Sequence, residues 1–265
     1  MIVFSLSNTK GGCAKSVSTL NLASALSSQM GERNKRVLCI DLDPSNDLTS
    51  AVGLTANNLK ATSYDVIIGK RHIGESIISN LDNFSFDILP ASKDLSAANA
   101  DFITIYQETS RQPEKFLAKQ IDDIRDRYDF VLIDHNPSFN KILISGLLAS
   151  DYILIPVQPG YFSLLALEQM METINNIKDV FDKKNIDYRI FLSMFDNKRV
   201  LDRDTEKTIS EQLPGKLLPT KIRNNVAIGE AVSNHLSIFD YQKNANGAED
   251  YLSLANDIIS LGEQK

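Results

Sequence analysis

The residues best suited to chemistry form the run KGGCAKSVS at positions 10–18, directly after a short apolar stretch. Gly11 and Gly12 would let the backbone curl closely around a ligand, because a glycine has no Cβ. In a phosphate-binding loop the backbone N–H groups point at the phosphates, and the next helix adds its positive end. A lysine reaches the β- and γ-phosphates and a hydroxyl binds Mg²⁺, roles that fall to Lys15 and Ser16. The run therefore predicts a nucleotide site.

Three residues in this run or directly before it depart from the usual loop or leave its chemistry open. The common spacing has glycines at positions 9 and 14, where this chain has Thr9 and Ala14. If Ala14 adopts a left-handed conformation, it costs about 1–2 kcal/mol relative to glycine, which would weaken nucleotide affinity or slow turnover without abolishing either. Cys13 is either a redox-sensitive thiol near a helix N-terminus or a small residue that fills its position.

Carboxylates follow two further apolar runs. RVLCIDLD ends in Asp41 and Asp43, which strand alternation turns to the same side. Two carboxylates with no lysine beside them suggest work on water or a metal, although Asp43 alone also fits a turn before a proline. YDFVLID ends in Asp134, a pattern in which the carboxylate holds Mg²⁺, usually through water. His135 is then either a titrating group near the site or a histidine with a structural role.

These residues lie within a regular alternation of apolar runs and amphipathic segments. We predict strands at 2–6, 36–43, 86–92, 128–134, 152–159 and 188–195. We predict helices at 15–29, 92–106, 113–127, 140–149, 163–182, 203–212 and 248–261. Strands that are apolar nearly throughout are covered on both faces. The expected fold class is α/β, a doubly wound, mostly parallel sheet with helices on both faces, and its ligand lies beyond the carboxyl ends of the strands.

Composition limits the class of protein. The chain has 265 residues, of which 43% are hydrophobic and 23% charged, as in ordinary globular proteins, and we expect one domain over residues 1–265. The apolar runs are too short to span a membrane and no secretory signal is evident, so we expect a cytoplasmic protein. Two cysteines, Cys13 and Cys39, are too few for an iron–sulfur cluster from one chain.

Charge is unevenly distributed along the chain. The formal net charge is −6, yet positions 183–223 carry ten lysines and arginines against six acids. A basic face on an acidic body could contact nucleic acid, and on charge alone a solvated surface is an equal alternative.

When Lys10 is included, the loop matches the motif of one particular family. KGGCAKS resembles the deviant phosphate loop of the ParA/MinD family of ATPases, written KGGxGK[ST], whose first lysine is the signature residue. The resemblance implies that Lys10 crosses to a partner subunit and contacts its nucleotide phosphates, so that two ATP molecules lie between two copies of the chain. A cation supplied in trans stabilises charge on the transferring phosphoryl group. The alternative for Lys10 is a solvated lysine beside the loop.

The resemblance runs over residues 1–259. It is carried by DLDP at 41–44, DHNPS at 134–138, the segments 150–170 and 191–196, and the closing helix. It implies that Asp43 lies near the attacking water and that Asp41 lies close to the Mg²⁺ shell. The family usually has DxPPS where this chain has DHNPS. The candidate metal residues are Ser16, Asp41 and Asp134, and the candidate catalytic residues are Lys10, Lys15 and Asp43.

IRNNVAIGEAV at 222–232 stands where the family has IPRNVRLSEA. Backbone near this turn contacts adenine in relatives, which implies a place near the base for Arg223 and Asn225. The resulting nucleotide-binding set is Lys10, Gly11, Gly12, Cys13, Ala14, Lys15, Ser16, Val17, Arg223 and Asn225. Two arginines that help some relatives bind DNA are replaced here. The remaining candidates for DNA binding are Lys198, Arg199, Arg203, Lys221 and Arg223.

Within the family the chain resembles the short, ParA/Soj-type partition proteins. No extension that could hold a helix-turn-helix domain precedes the loop, so we expect no operator binding. The closing helix is acidic at Glu249, Asp250 and Asp257. It therefore differs from the amphipathic, basic helix by which MinD binds membrane, and we expect no membrane binding.

The resemblance implies a dimerising, Mg²⁺-dependent ATPase with slow intrinsic hydrolysis. In the ATP state it would bind DNA without sequence choice, associate with the nucleoid, and position a plasmid or chromosome with a ParB-like partner that stimulates hydrolysis. One alternative is a nucleotide-dependent scaffold for a non-DNA cargo that hardly hydrolyses ATP because of Ala14. A metabolic enzyme that activates a small molecule with ATP is a third reading, but the sequence shows no second cluster of substrate-binding acids or bases for it.

Overall fold

Seven parallel strands form one sheet in the computed structural model, which describes residues 1–28, 35–55 and 59–263. They are β1 (Ile2–Leu6), β2 (Val37–Leu42), β3 (Asp87–Leu89), β4 (Phe130–His135), β5 (Tyr152–Val157), β6 (Asp187–Phe195) and β7 (Leu217–Arg223). Their order across the sheet is β3-β2-β4-β1-β5-β6-β7, and each neighbouring pair is parallel. This arrangement confirms the predicted doubly wound α/β class.

Helices connect the strands and cover both faces of the sheet. The longer ones are α1 (Lys15–Ser27), α5 (Ala98–Thr109), α6 (Phe116–Asp122), α7 (Lys141–Ala149), α8 (Tyr161–Phe181), α9 (Val200–Gln212), α10 (Val226–Ser233) and α12 (Asn246–Glu263). Short turns of helix are α2 (Asp47–Ala51), α3 (Ser63–Ile67), α4 (Ile73–Ser76) and α11 (Ile238–Tyr241). Within the described ranges, no helix combines the length and the apolar character that crossing a bilayer requires.

The strands are apolar because both faces of the sheet are packed. Along β2 and β4 every residue is buried. On one face, α1 and α12 pack against the sheet through side chains such as Leu20 and Leu254. On the other, Phe102 of α5 and Met170 of α8 belong to two further clusters. Burial of this extent dictates the near-continuous apolar runs seen in the sequence.

β7 was not predicted, and two residues explain why. Pro219 and Lys221 interrupt the apolar pattern of this segment, whose residues are mostly only partly buried. β7 is an edge strand, where a proline needs no ladder partner and a lysine can reach solvent. The strand predicted at 86–92 is also shorter than expected, since β3 ends at Leu89 and Pro90 cannot donate to the ladder.

Helix bounds differ from the predictions mainly at the ends. The helices predicted at 92–106 and 113–127 both begin as 3₁₀ turns, Lys93–Ala97 and Pro113–Lys115. The predicted end of the first helix at Gln29 lies outside the described residues. α10 was not predicted as a helix.

The centre of the sheet positions the site. β1 lies between β4 and β5, so the chain leaves β1 toward a point where the strand order reverses. Ligands of open α/β sheets bind at such a point, beyond the carboxyl ends of the strands. The loops that follow β1, β2, β4 and β7 meet there with the end of β6.

Candidate functional site

A cleft of about 1010 Å³ opens at the carboxyl edge of the sheet. One wall is the loop after β1 with the start of α1, and the others follow β2, β4, β6 and β7. Predicted residues that line it are Gly11, Gly12, Ala14, Lys15, Ser16, Val17, Asp43, Arg223 and Asn225. Further lining residues include Asn136, Ser193, His235 and Tyr251. The structure thus brings most of the predicted nucleotide residues together in one place.

The loop has the curled backbone that phosphate binding needs. Gly12 has a φ of 74°, a conformation that favours glycine, and a Cβ built at Gly11 or Gly12 would meet no described atom within 4 Å. Ala14, which precedes α1, has φ 68° and ψ 34° and is therefore left-handed. The conformation that makes alanine unfavourable at position 14 is present.

We expect Ala14→Gly to raise the free energy of unfolding by about 0.5–1 kcal/mol. Relief of about 1–2 kcal/mol of left-handed strain is partly offset by the larger backbone freedom of glycine in the unfolded chain, about 0.4–1 kcal/mol. Urea unfolding without nucleotide would measure the change. As a control, Ala118→Gly within α6 should lower stability by about 1 kcal/mol. A loss of stability in Ala14→Gly would contradict the strain.

Buried hydrogen bonds tie the loop to neighbouring strands. The Asn8 amide donates to the Pro156 carbonyl at 2.7 Å, and its oxygen accepts the N–H of Lys10 at 2.9 Å. The Ser193 hydroxyl donates to the carbonyl of Cys13 at 3.1 Å. These contacts hold the loop against β5 and β6.

Cys13 has the properties of a structural thiol. Its side chain is fully buried, and the Sγ donates to the Lys10 carbonyl at 3.2 Å. Burial raises the pKa of Cys13 despite the nearby charge of Lys15. A protonated, buried thiol reacts slowly with oxidants, so the structure favours the filling role over a redox-sensitive one.

The two lysines of the loop occupy different places. Lys15 is buried at the cleft, where its Nζ donates to the Lys10 carbonyl at 3.3 Å. The Lys10 side chain instead turns away from the cleft, and its Nζ donates to the Ser163 hydroxyl at 3.0 Å. Ser163 lies in the first turn of α8 and donates to the Gln158 carbonyl at 2.5 Å. The ammonium of Lys10 therefore rests at the positive end of a helix, an unfavourable position for a cation.

Asp134 is a buried carboxylate that lacks protein partners. It is fully buried, and within the described part of the chain neither oxygen has a hydrogen-bond partner. Burial raises the pKa of Asp134 well above its usual range, and the neighbouring charge of Asp41 raises it further. The Ser16 hydroxyl and the Lys15 ammonium act in the opposite direction. A cation near Ser16 would supply what this carboxylate lacks.

Asp41 is the opposite case, although it pairs directly with Asp134 across β2 and β4. One oxygen accepts the N–H of Asp43 at 3.0 Å. The other accepts the N–H and the hydroxyl of Thr49, at 2.9 and 2.7 Å. Burial raises the pKa of Asp41 to about 6, although these hydrogen bonds favour its charged form. The contacts give Asp41 a structural role in holding α2, and its predicted place near the Mg²⁺ shell remains a prediction.

Asp43 lines the cleft together with the loop. Its Oδ1 accepts the N–H of Ser45 at 2.8 Å, which is the turn contact expected for an acid before a proline. The carboxylate is only partly buried, so Oδ2 can face the cleft while Oδ1 holds the turn. The turn and a catalytic role are therefore compatible.

His135 is neither exposed nor available to titrate near neutral pH. It is fully buried, and its Nε2 lies 2.9 Å from the Ser5 hydroxyl. Burial, with a smaller contribution from the charge of Lys15, lowers the pKa of His135 to about 3. A Cβ at Gly146 of α7 would lie 2.1 Å from the imidazole, so this glycine makes room for the ring. The histidine is a neutral packing element between the sheet and α7.

Arg223 lines the cleft, but its guanidinium belongs to an ion cluster with α12. It donates to both oxygens of Asp250 and, at 2.7 Å, to Glu249. These carboxylates raise the pKa of Arg223. Two carboxylates of α12 already compensate this charge, and the contact of Arg223 with DNA remains a prediction. Asn225 also has a structural contact: its oxygen accepts the N–H of Ala227 at 3.0 Å and caps α10.

The other candidates for DNA binding divide into two groups. Lys198, Arg199 and Arg203 are exposed around the start of α9. Lys221 is partly buried, forms an ion pair with Glu206 at 2.5 Å, and lies 4.8 Å from the centre of the Phe195 ring. Three exposed cations therefore remain at this edge from the predicted set.

The residues present fit a nucleotide with Mg²⁺. Among the described residues, no group of three or more histidine, cysteine and acidic side chains could hold a metal by itself. Mg²⁺ in nucleotide sites is held by one or two protein oxygens together with phosphates and water. Ser16 and the unpartnered carboxylate of Asp134 are the donors that match this pattern.

Several residues of the site could not be found from sequence. Asn8 and Ser163 act through contacts with residues about 150 positions away, and no local pattern marks them. Ser193 of β6 is a similar case, since it contacts the carbonyl of Cys13, 180 positions earlier in the chain. Asn136 could have been noticed from the sequence, because it stands where the family that the chain resembles has a proline.

Comparison with known proteins shows which proteins this chain is similar to. A family model described as an AAA domain matches residues 1–188. The chain is 32% identical to an uncharacterized protein of Pseudomonas putida, over 97% of this chain and 94% of the relative. It is 31% identical to the chromosome-partitioning ATPase Soj of Treponema pallidum, over 97% of each chain.

Solved structures share the fold at lower identity. Apo McdA of Cyanothece superposes with a TM-score of 0.84 at 18% identity, covering 98% of this chain and 99% of that one. Cobyrinic acid a,c-diamide synthase of Mycobacterium smegmatis, bound to an ATP analogue and magnesium, gives 0.82 at 21% identity, with 99% and 96% covered. At these identities the likeness concerns the fold alone.

Proposed function

Because this chain belongs to the ParA/Soj family of partition ATPases, we propose that it is a Mg²⁺-dependent ATPase that dimerises on ATP, binds DNA and positions a replicon. One observation carries the proposal. Lys15 lines the cleft, whereas the ammonium of the signature lysine Lys10 contacts Ser163 of α8 outside the cleft. A second cation beside the loop that does not serve its own cleft is suited to serve another subunit.

The cleft supports ATP binding within a single domain. The N–H groups of residues 11–16 and the ammonium of Lys15 would hold the phosphates. Ser16 and Asp134 would hold Mg²⁺, which neutralises charge on the β- and γ-phosphates when bound. Asp43 would orient a water toward the γ-phosphate. The turn after β7 and the apolar residues of α10 form the part of the cleft that suits a base.

Exposed aromatic side chains beside Lys10 support a dimer. Tyr161 and Phe162, in the first turn of α8, are 69% and 74% exposed. Phe139, in the loop after β4, is 63% exposed. β4 and β5 flank β1, so these side chains and Lys10 come from three adjoining loops. Large exposed apolar groups around a cation are typical of an interface. We assign this face to a second copy of the chain, with Lys10 moving from Ser163 to the partner's phosphates.

The basic start of α9 supports DNA binding without sequence choice. Lys198, Arg199 and Arg203 are exposed there, although Arg199 lies 3.5 Å from Asp196. A dimer would present six such cations, enough for binding that depends on phosphate contacts. In the ATP state we place the dimer on the nucleoid, and a ParB-like partner would stimulate its slow hydrolysis and so release it.

One observation favours the alternative of a scaffold that hardly hydrolyses ATP. The left-handed Ala14 strains the loop, and a strained loop could hold nucleotide without reaching the geometry for hydrolysis. Under this alternative the chain would still dimerise on ATP, and its cargo would be a protein assembly. Hydrolysis measurements on Asp43 variants separate the two functions.

We expect a monomer without nucleotide and a dimer with a non-hydrolysable ATP analogue and Mg²⁺, measured by light scattering after gel filtration. If six phosphates are contacted, the logarithm of DNA affinity should fall with the logarithm of salt with a slope of about −5, or roughly 10³-fold between 50 and 200 mM. A monomer under both conditions would contradict the dimer. Salt-insensitive DNA binding, or none by the dimer, would contradict the DNA face.

A further inference from the structure

The loop after β4 carries an unpartnered polar group that has no assigned role. The side-chain oxygen of Asn136 is buried and, within the residues that the structure describes, has no hydrogen-bond partner. The same residue lines the cleft together with Ser16 and Asp43. A buried amide oxygen without a partner costs about 1–3 kcal/mol, so a ligand at this point would relieve a real penalty.

Asn136 directly follows β4, two residues beyond Asp134. β4 ends at His135, whose ring turns toward Ser5 and Gly146 under α7. Asn136, the next residue, lines the cleft, and Asp134 interacts with Ser16 and Lys15 at the loop. Asp134 is fully buried there with two unpartnered oxygens. Among the described residues, three buried oxygens at the end of this strand therefore have no hydrogen-bond partner.

We propose that Asn136 is a positioning residue of the magnesium site, whose carboxamide oxygen accepts a hydrogen bond from water bound to the ion beside Asp134. Mg²⁺ retains several of its waters in proteins, and those waters are donors that need oxygen acceptors. Both oxygens of Asp41 already accept protein hydrogen bonds, whereas the Asn136 side-chain oxygen accepts none from the described residues. A proline, which the resembling family has at this position, has no side-chain acceptor. The inference rests on the proposed Mg²⁺–nucleotide site.

The test is the Mg²⁺ concentration for half-maximal binding of a fluorescent ADP analogue, compared with binding of the same analogue in EDTA. We expect Asn136→Ala to raise that Mg²⁺ concentration about 10-fold, as loss of partners around a metal site commonly does. Affinity in EDTA should stay the same. Asn136→Asp keeps an acceptor oxygen and should need no more Mg²⁺ than the wild type. Asn176→Ala, which removes an exposed carboxamide on α8, is the matched control and should behave as wild type.

Each other outcome is decisive. If Asn136→Ala needs the same Mg²⁺ as the wild type, or if it weakens binding equally with Mg²⁺ and in EDTA, Asn136 supports the loop and the proposal is overturned. Thermal unfolding of each variant shows whether its fold is intact. If the wild type itself shows no Mg²⁺-dependent nucleotide binding, the proposed function fails as well, and the two failures are thereby distinguished.

Discussion

Asp43→Ala should bind ATP and Mg²⁺ with nearly the affinity of the wild type and hydrolyse ATP about 10²–10⁴-fold more slowly. That range is typical for loss of a residue that takes a proton from, or orients, the attacking water. Asp43 lines the same cleft as Ser16, and its Oδ1 is engaged with the N–H of Ser45, which leaves Oδ2 for a water. Phosphate release from the DNA-bound protein would measure the effect.

Two further variants isolate the cause. Asp43→Asn keeps an oxygen for the Ser45 contact and removes the charge, so it should lose hydrolysis while the turn stays intact. Asp179→Asn changes an exposed acid on α8 and should hydrolyse ATP at the wild-type rate. Equal phosphate release from the wild type and Asp43→Ala would favour the scaffold function, since a scaffold does not depend on an attacking water.

Lys10→Ala should separate nucleotide binding from dimerisation. Its ammonium lies on Ser163 outside the cleft, so we expect the variant monomer to bind nucleotide within about 3-fold of the wild type. The ATP-dependent dimer should be lost, and stimulated hydrolysis should fall about 10³–10⁵-fold, the value of a cation supplied in trans to a transferring phosphoryl group. Light scattering and single-turnover hydrolysis would measure the two effects.

Lys178→Ala, near the other end of α8, is the matched control and should dimerise normally. An Lys10→Ala protein that still forms the ATP-dependent dimer with wild-type hydrolysis would show that this lysine is only solvated. Loss of nucleotide binding by the monomer would instead place Lys10 in its own cleft.

Much of the fold followed from the sequence because its strands are buried on both faces. Six of the seven strands were predicted, and β1 matches its predicted bounds of 2–6. β7 escaped prediction because an edge strand is only half-buried, so its residues need not be apolar. The short helices α2, α3 and α4 also escaped, since a helix of four or five residues is held by its neighbours rather than by its own periodicity.

Charged residues were the least predictable part of the site. The sequence offered Arg223 as a free cation near the base, and the fold gave it Asp250 and Glu249 of α12 as partners. Lys221 likewise forms an ion pair with Glu206. Their partners lie 15 to 27 positions away on other elements, and only packing decides which opposite charges meet.

The sequence by itself determined the chemistry that is local: two adjacent glycines, a lysine and a serine at a strand–helix junction, and acids at the ends of buried strands. Backbone conformation, hydrophobic period and motif spacing all act over a few residues, so they can be recognised in one dimension. Tertiary structure alone decided that Asp41 accepts hydrogen bonds from Thr49, whereas Asp134 has no hydrogen-bond partner in the described part of the chain. It also decided that the Lys10 ammonium donates a hydrogen bond to Ser163 of α8. A buried polar group takes its protonation and role from the donors that surround it, and those donors come from distant parts of the chain.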